Sequence, residues 1–459
     1  MLNEEVVAGL DLYFAQRIPR ARPARFSPVP VYHPVYRRPA TAPLDPMKKS
    51  LLLLAGPVLA GSLVAFLVLQ TESALPVRRP DSPLPYKFSA VIKEECAKNT
   101  PGANQVAAWD YSFIGDYPAA LRAWDEQPGP PRRLAAADSL AFVGLHAVEA
   151  AGYILARART ERIIILNEAH HNPRHRVFAS SLLPGLARLG FRYLAVEAIA
   201  EQQDARLNHR GYPVRETGFY TKEPQFGRLL RIAHARGYQL VAYDYGAEPS
   251  PDMHASIAAR EPAQARNIAR LLQTDPQAKI LVHCGFSHAN EGPDGLGGLP
   301  AMAARLRELT GIDPFTIDQT ALTEAGTPAG EAACYRLATA TRSAVFLPVP
   351  GKAPYAHADP AMSVDVNVYH PRTKYQAGRP AWVFHAGYEP VAIVEPITVG
   401  YPCLLLAYAA AEDLAHAIPL DVVEVQGPGD KKCFALPKGS FTVLAMGRDG
   451  RRQTWVIQN

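Results

Sequence analysis

Glu168, His170 and His171 lie almost side by side, with His175 just beyond, in the stretch Ile163-Ile164-Ile165-Leu166-Asn167-Glu168-Ala169-His170-His171-Asn172-Pro173-Arg174-His175. A carboxylate among imidazoles can hold a divalent metal, or can orient one imidazole so that it takes a proton from water. The apolar residues before the acid read as a buried strand. Asn172 followed by Pro173 reads as an N-cap and a first helical position. The acid and the histidines are therefore expected in a strand-to-helix turn. In open α/β sheets, ligands bind at that edge, outside the carboxyl ends of the strands.

The partners of this turn come from the pattern that follows it. Apolar runs predict strands over 162–166, 192–197, 238–243, 279–284 and 314–317. Helical spacing fills the intervals, over 173–189, 224–236, 262–273 and 300–309, with Gly190 and Gly237 as stops. Strands alternating with helices imply βαβ units and a mostly parallel sheet with flanking helices, an α/β fold. A further helix over 139–160, capped by Asp138 or Ser139, is expected to pack on that sheet, with Leu140, Val143, Ala147, Ala151, Ile154 and Leu155 facing inward.

The carboxyl ends of these strands carry Glu168, His170 and His171, then Glu197, Asp244, His283 with Gly285-Phe286-Ser287-His288, and Asp318. Strand-end acids often cap the next helix, and Asp244 and Asp318 are read that way. His283, inside an apolar run, is read as a hydrogen-bonded structural residue, and Cys284 as a small buried hydrophobe. His209, His234 and His254 have no convergent neighbours. Tyr212 and Tyr220, in an irregular segment over 201–221, either reach the site or pack. The candidate set is Glu168, His170, His171, Glu197 and His288, acting as metal ligands or as acid and base groups.

The 459 residues allow two or three domains at roughly 150 residues each. A hydrophobic content of 48% with 20% charged residues fits a globular chain. The net charge of +5 comes without a Lys/Arg stripe interleaved with aromatics, so nucleic acid is not an expected partner. Cys96, Cys284, Cys334, Cys403 and Cys433 contain no CxxC pair, which argues against a thiolate zinc site and leaves room for one disulfide in the C-terminal part.

Residues 1–46 are rich in Pro, Arg and Tyr and have no apolar period. Met47-Lys48-Lys49-Ser50 then precedes an apolar run from Leu51 to Leu69. Two lysines before such a run form a secretory signal, with Met47 as the true start and 1–46 a non-native extension. With 1–46 retained, the run becomes a signal anchor with a basic cytoplasmic tail. Either reading places the folded part outside the cytoplasm, with membrane contact only through 47–74. Residues 75–135 read as a linker and irregular packing around Trp109, Tyr111 and Trp124. The α/β domain is assigned to 136–340 and a β-rich region to 341–459, antiparallel from about residue 380.

The turn Glu168-Ala169-His170-His171-Asn172-Pro173-Arg174-His175, followed by Leu182-Leu183 and Leu194-Ala195-Val196-Glu197, resembles the first motif of the ChaN-like, haem-binding-uptake branch of the Tiki superfamily. That motif is a Gly-Glu-x-His-Asp-Asn-Pro-x-His turn. Glu168, His170 and His175 match its acid and histidines, and Gly285-Phe286-Ser287-His288-Ala289 resembles its later Gly-x-x-His. Erythromycin-esterase-like relatives share the layout. Their Glu-x-x-His turn is satisfied by Glu168 and His171, and their Arg-to-Asn segment resembles Arg260 to Asn267. Asn167 replaces the usual Gly and His171 the usual Asp. The resemblance implies an extracytoplasmic hydrolase of esterase or protease type, acting on a small molecule or peptide with or without a divalent metal. It equally implies capture of haem or a metal at the same edge, although no haem-ligand tyrosine is placed. An inactive structural member is the third reading.

Overall fold

A strand with apolar side chains in succession cannot turn one face to water, so it must lie inside a sheet covered on both faces. Ile163–Glu168 is such a strand, and all of its residues are buried. The computed structural model describes residues 84–126, 142, 144–248, 250–348, 353–356, 358–359 and 361–459. In chain order the elements are helices α1 (Ser89–Cys96), α2 (Ala103–Phe113) and α3 (Tyr117–Asp125), strand β1 (His146–Glu149), α4 (Ala150–Arg157), β2 (Ile163–Glu168), α5 (Arg174–Arg188), β3 (Tyr193–Val196), α6 (Gln203–Arg210), α7 (Pro224–Ala235), β4 (Gln239–Ala242), α8 (Met253–Thr274), β5 (Ile280–Gly285), α9 (Met302–Thr310), β6 (Phe315–Asp318), α10 (Ala333–Leu337), β7 (Ala344–Leu347) and β8 (Val366–Asn367).

The fold is α/β with a six-stranded sheet in the order β4-β3-β5-β2-β6-β8. Every pairing in it is parallel. The chain steps outward from β2 to β3 and β4, returns to place β5 between β3 and β2, then continues to β6 and β8. Because crossovers are right-handed, the outward and return connections put their helices on opposite faces. Leu182 and Leu186 of α5 and Leu229 of α7 pack with Ile164 and Leu166 on one face. Ile268 of α8 and Met302 and Leu306 of α9 pack with Ile163 and Ile165 on the other. The reversal falls at β5. A crevice opens at such a switch point, beyond the carboxyl ends of the neighbouring strands.

The C-terminal strands are β9 (Tyr375–Gln376), β10 (Arg379–Pro380), β11 (Glu389–Ala392), β12 (Cys403–Ala409), β13 (Asp421–Val425), β14 (Cys433–Leu436), β15 (Ser440–Gly447) and β16 (Arg452–Gln458). Four of them form an antiparallel sheet in the order β13-β12-β15-β16. The β-rich C-terminal region is thus present. One of its expected strands belongs elsewhere, since β8 completes the edge of the parallel sheet. The expected strand over 380–384 is a 3-10 turn at Ala381–Val383, after a proline that cannot donate to a ladder.

Three further expectations differ. Within the helix expected over 139–160, residues 146–149 are a strand and a helix begins at Ala150, where Glu149 accepts hydrogen bonds from the Ala151 and Gly152 amides and caps it. Residues 146–149 before it pair antiparallel with β7, and Leu140, Val143 and the proposed caps lie outside the described residues. Helix α8 starts at Met253, capped by Asp252, and carries Pro262 in its interior rather than at its start. The segment around Trp109 and Trp124 is helical rather than irregular, with Trp109 edge-on to Phe219 at 5.5 Å and to Tyr220 at 5.4 Å.

None of the five cysteines forms a disulfide, so the bridge allowed for in the C-terminal part is not made. The extension over 1–46 and the apolar run from Leu51 to Leu69 lie outside the described residues. Among the described residues no helix is long and apolar enough to cross a membrane.

The C-terminal region is held partly by a buried ion pair. Arg379 donates to both carboxylate oxygens of Asp421, at 2.9 and 2.8 Å, and to the Cys433 carbonyl. Removing one member leaves an uncompensated buried charge. Arg379→Ala is therefore expected to lower the unfolding free energy by roughly 3–5 kcal/mol, read from the urea midpoint.

Candidate functional site

Glu168 is the last residue of β2, with its side chain 1% exposed. A carboxylate so enclosed persists only with a partner. The partner is Arg176, one turn into α5, whose Nε and Nη2 reach the two carboxylate oxygens at 2.7 and 2.6 Å. Arg176 also donates to the His170 carbonyl at 2.8 Å and to Glu223 at 3.0 Å. Burial pushes the Glu168 carboxyl upward, but Arg176, His283 and the bond to His170 outweigh it and hold the group well below the usual carboxylate range. One guanidinium thus serves two carboxylates. Burial dominates at Glu223, only partly offset by Arg176, and raises it to about 7.

His170 points inward. Its Nδ1 lies 2.8 Å from Glu168 Oε1, and its ring stacks on Tyr220 at 3.9 Å. Since Glu168 is ionised, Nδ1 carries the proton and donates it. In the neutral form of the ring the lone pair is therefore on Nε2. That atom lies against Gly285, where a β-carbon would sit only 2.4 Å from it and 3.3 Å from Glu197 Oε2. A glycine at the end of β5 is what lets the imidazole and the second carboxylate converge.

Glu197 follows β3 and is 9% exposed. It accepts from the Gly285 amide at 2.5 Å and from Arg260 of α8 at 2.6 Å, and His288 Nε2 lies 3.3 Å away. The far side of His288 bonds to Glu261 at 2.9 Å, and Glu261 accepts from the Met302 amide at the start of α9. Burial lowers the His288 pKa, but the Glu261 and Glu197 carboxylates outweigh it and raise the imidazole to about 10. His288 is thus an imidazolium at neutral pH. Burial raises the Glu197 carboxyl, and His288 and Arg260 outweigh it, so the group stays ionised. Asp244, read from sequence as a helix cap, instead clamps Arg260 through its Nε and Nη2, at 2.9 and 2.7 Å.

The structure therefore brings together Glu168, His170, Glu197 and His288. It sets His171 apart, because that ring stacks on Trp124 at 4.0 Å and lines a separate cavity of about 220 Å³. His175 accepts the Ala169 amide at 3.0 Å and is a structural residue of the turn. His283 and Cys284 are buried beneath the site. Asn167 ties the strand ends together: its amide donates to the Phe286 carbonyl and to Asp318, and its oxygen accepts from the Gln319 amide.

Arg176, Glu223, Glu261 and Gly285 were not singled out as site residues, and Arg260 entered only through a resemblance. The available signal is a charged residue at helical spacing from small or apolar ones, as with Arg176 three residues before Ala179 and Arg260 three after Ile257.

A divalent metal does not fit these residues. Glu168 and Glu197, its expected carboxylate ligands, are already bonded to guanidinium groups. Among the described residues no three His, Cys, Asp or Glu side chains are grouped to hold a metal ion.

No family model matches the chain, and no curated protein matches it. Among solved structures, the type III effector HopBA1 is similar at 12% identity over 50% of this chain and 98% of its own, with a TM-score of 0.31. A structure described as bacterial protein toxins is similar at 17% identity over 47% of this chain and 45% of its own, with a TM-score of 0.30. RRSP, a MARTX toxin effector domain from Vibrio vulnificus CMCP6, is similar at 17% identity over 48% of this chain and 42% of its own, with a TM-score of 0.26. At these TM-scores no functional argument rests on the likeness.

The charge state of His288 has a measurable consequence. Its folded pKa of about 10 lies above the ordinary 6.5. The stabilisation from binding its proton is therefore fully present below pH 6.5 and lost as the pH rises through 10. The stability difference between the native chain and His288→Gln, read from urea midpoints, is expected to shrink across that window. A difference independent of pH would contradict the assignment.

Proposed function

We propose that the chain is an extracytoplasmic hydrolase that cleaves an ester or peptide bond by acid–base chemistry carried by its own side chains. The observation that carries this reading is the Glu168–His170 dyad. A carboxylate held in its ionised form lies 2.8 Å from Nδ1, so Nε2, beside the Glu197 carboxylate, is the ring nitrogen that takes up a proton. The resemblance of the turn to ChaN-like and erythromycin-esterase-like proteins supports the same assignment.

His170 Nε2 takes a proton from water, and the resulting hydroxide attacks the substrate carbonyl carbon. The imidazolium that forms lies between the Glu168 and Glu197 carboxylates, which favour its charge. The oxyanion of the tetrahedral intermediate meets the cationic pair Arg260 and His288, whose facing nitrogens are 3.3 Å apart. His170 then returns its proton to the leaving alcohol or amine as the carbonyl re-forms. The carboxylates bonded to Arg176 and Arg260 have the positive charge they need without a metal.

On a panel of esters and peptides, Glu168→Gln and His170→Ala are expected to lower kcat by about 10²–10⁴-fold, the usual size of a general-base contribution. His171→Ala, on the far side of the turn, should cost less than about tenfold. Chelation should leave the native rate unchanged. No hydrolysis by the native chain, or an undiminished rate in Glu168→Gln, would overturn the reading.

A further inference from the structure

We propose that Ser343, His370 and Gln319 form a second nucleophilic centre, separate from the Glu168–His170 site, that accepts acyl groups from esters bearing a negative charge. Gln319 follows β6 and His370 follows β8 at the edge of the parallel sheet, and an antiparallel bridge between Ala344 and Tyr369 sets Ser343 beside His370.

The hydrogen bonds fix which atom carries each proton. The Gln319 amide nitrogen donates to the Asn167 carbonyl at 2.6 Å. Its oxygen is therefore the atom facing His370 Nε2, at 3.0 Å. A carboxamide oxygen only accepts, so Nε2 carries the ring proton and Nδ1 carries the lone pair. Ser343 Oγ lies 2.9 Å from that Nδ1, and its hydroxyl is the donor. This is the nucleophile, base and orienting group of a hydrolytic triad, recognised by role and geometry. The His370 ring is fully buried, wedged between Phe178 at 5.1 Å and His175 at 5.4 Å. Burial, Arg174 and His175 all favour its neutral form. Ser343 itself is only half-buried.

Chain neighbours of the relay line a cavity of about 260 Å³: Thr341, two residues before Ser343, and Tyr369 and Pro371, which flank His370 in sequence. Arg336, Arg372 and Lys374 add basic groups to a lining that is otherwise tyrosine, alanine and threonine. Glu331 pairs with Arg372 at 2.6 Å, whereas Arg336 donates, among the described residues, to the Pro328 and Glu331 carbonyl oxygens. The surplus positive charge selects an anionic acyl donor. Ser343 Oγ attacks the ester carbonyl carbon as His370 Nδ1 takes the hydroxyl proton. The ester C–O bond breaks, and the departing alkoxide receives that proton. Water then hydrolyses the acyl–Oγ ester with His370 again as base.

The test treats the full chain with a fluorophosphonate. The Oγ–P bond forms, fluoride leaves, and peptide mass mapping locates the adduct. We expect one adduct at Ser343, absent in Ser343→Ala, formed about a hundredfold more slowly in His370→Gln, and retained in Glu168→Gln. Gln319→Ala keeps the imidazole but releases its tautomer, and should also slow labelling. The 4-nitrophenyl half-ester of succinate should be cleaved faster than 4-nitrophenyl butyrate, and Ser343→Ala should abolish that preference. No adduct at Ser343 in a folded chain, or equal labelling rates in the native chain and both the His370 and Gln319 variants, would overturn the proposal. Loss of the adduct in Glu168→Gln would overturn the separateness of the two centres.

Discussion

The crevice depends on one buried ion pair. Glu168 and Arg176 are 1% and 0% exposed, and two charges removed from water are tolerated only when nearly every lone pair and proton is used. Arg176 meets that condition by bonding to both Glu168 oxygens, the His170 carbonyl and Glu223. Its guanidinium also lies 4.6 Å above the Phe226 ring. Glu223 in turn caps α7 through the Phe226 amide. The end of β2, the turn that follows it and the start of α7 are therefore joined through one side chain. Because Arg176 keeps Glu168 ionised, it also decides which nitrogen of His170 is basic.

The same physics recurs around Arg260, with a different outcome. Asp244, Glu197 and Glu261 bring three carboxylates to one guanidinium and one imidazole. The excess of negative charge keeps His288 protonated, where burial alone would neutralise it. Fixed carboxylates thus reverse the effect of burial on the His288 imidazole and give the site a standing cation at neutral pH.

The periodicity of the chain was enough to read the parallel sheet and its flanking helices, because strands such as Ile163–Glu168 and Ile280–Gly285 have no polar side to misplace. Boundaries set by side-chain caps were not readable in this way. Glu149 starts a helix in the middle of an apparently helical run, and Pro262 looks like a helix start but lies within α8. Of the candidate site, Glu168, His170, Glu197 and His288 were found from their positions at strand ends. His171 was included on the same ground, but adjacent residues in a turn point to different sides. Arg176 is not legible in this way, and Arg260 only through a resemblance, because a buried guanidinium on a helix is recognisable once its carboxylates are in place.

Gly285 and Phe286 show how the turn keeps its two histidines apart. A side chain at Gly285 would collide with His170, so the end of β5 has to be bare. The next residue takes the left-handed conformation, with φ +37 at Phe286, which is costly for a bulky residue and persists only when its surroundings hold it. Asn167 holds it, donating to the Phe286 carbonyl at 2.8 Å. The glycine usual at the Asn167 position in the resembling motif has no side chain to make that bond. With its backbone so fixed, the Phe286 ring meets His170 edge-on at 5.4 Å and stacks with Trp124 at 5.3 Å. It therefore stands between the His170 imidazole and the Trp124–His171 stack. The departure at Asn167, the strain at Phe286 and the division of labour between His170 and His171 follow from a single hydrogen bond.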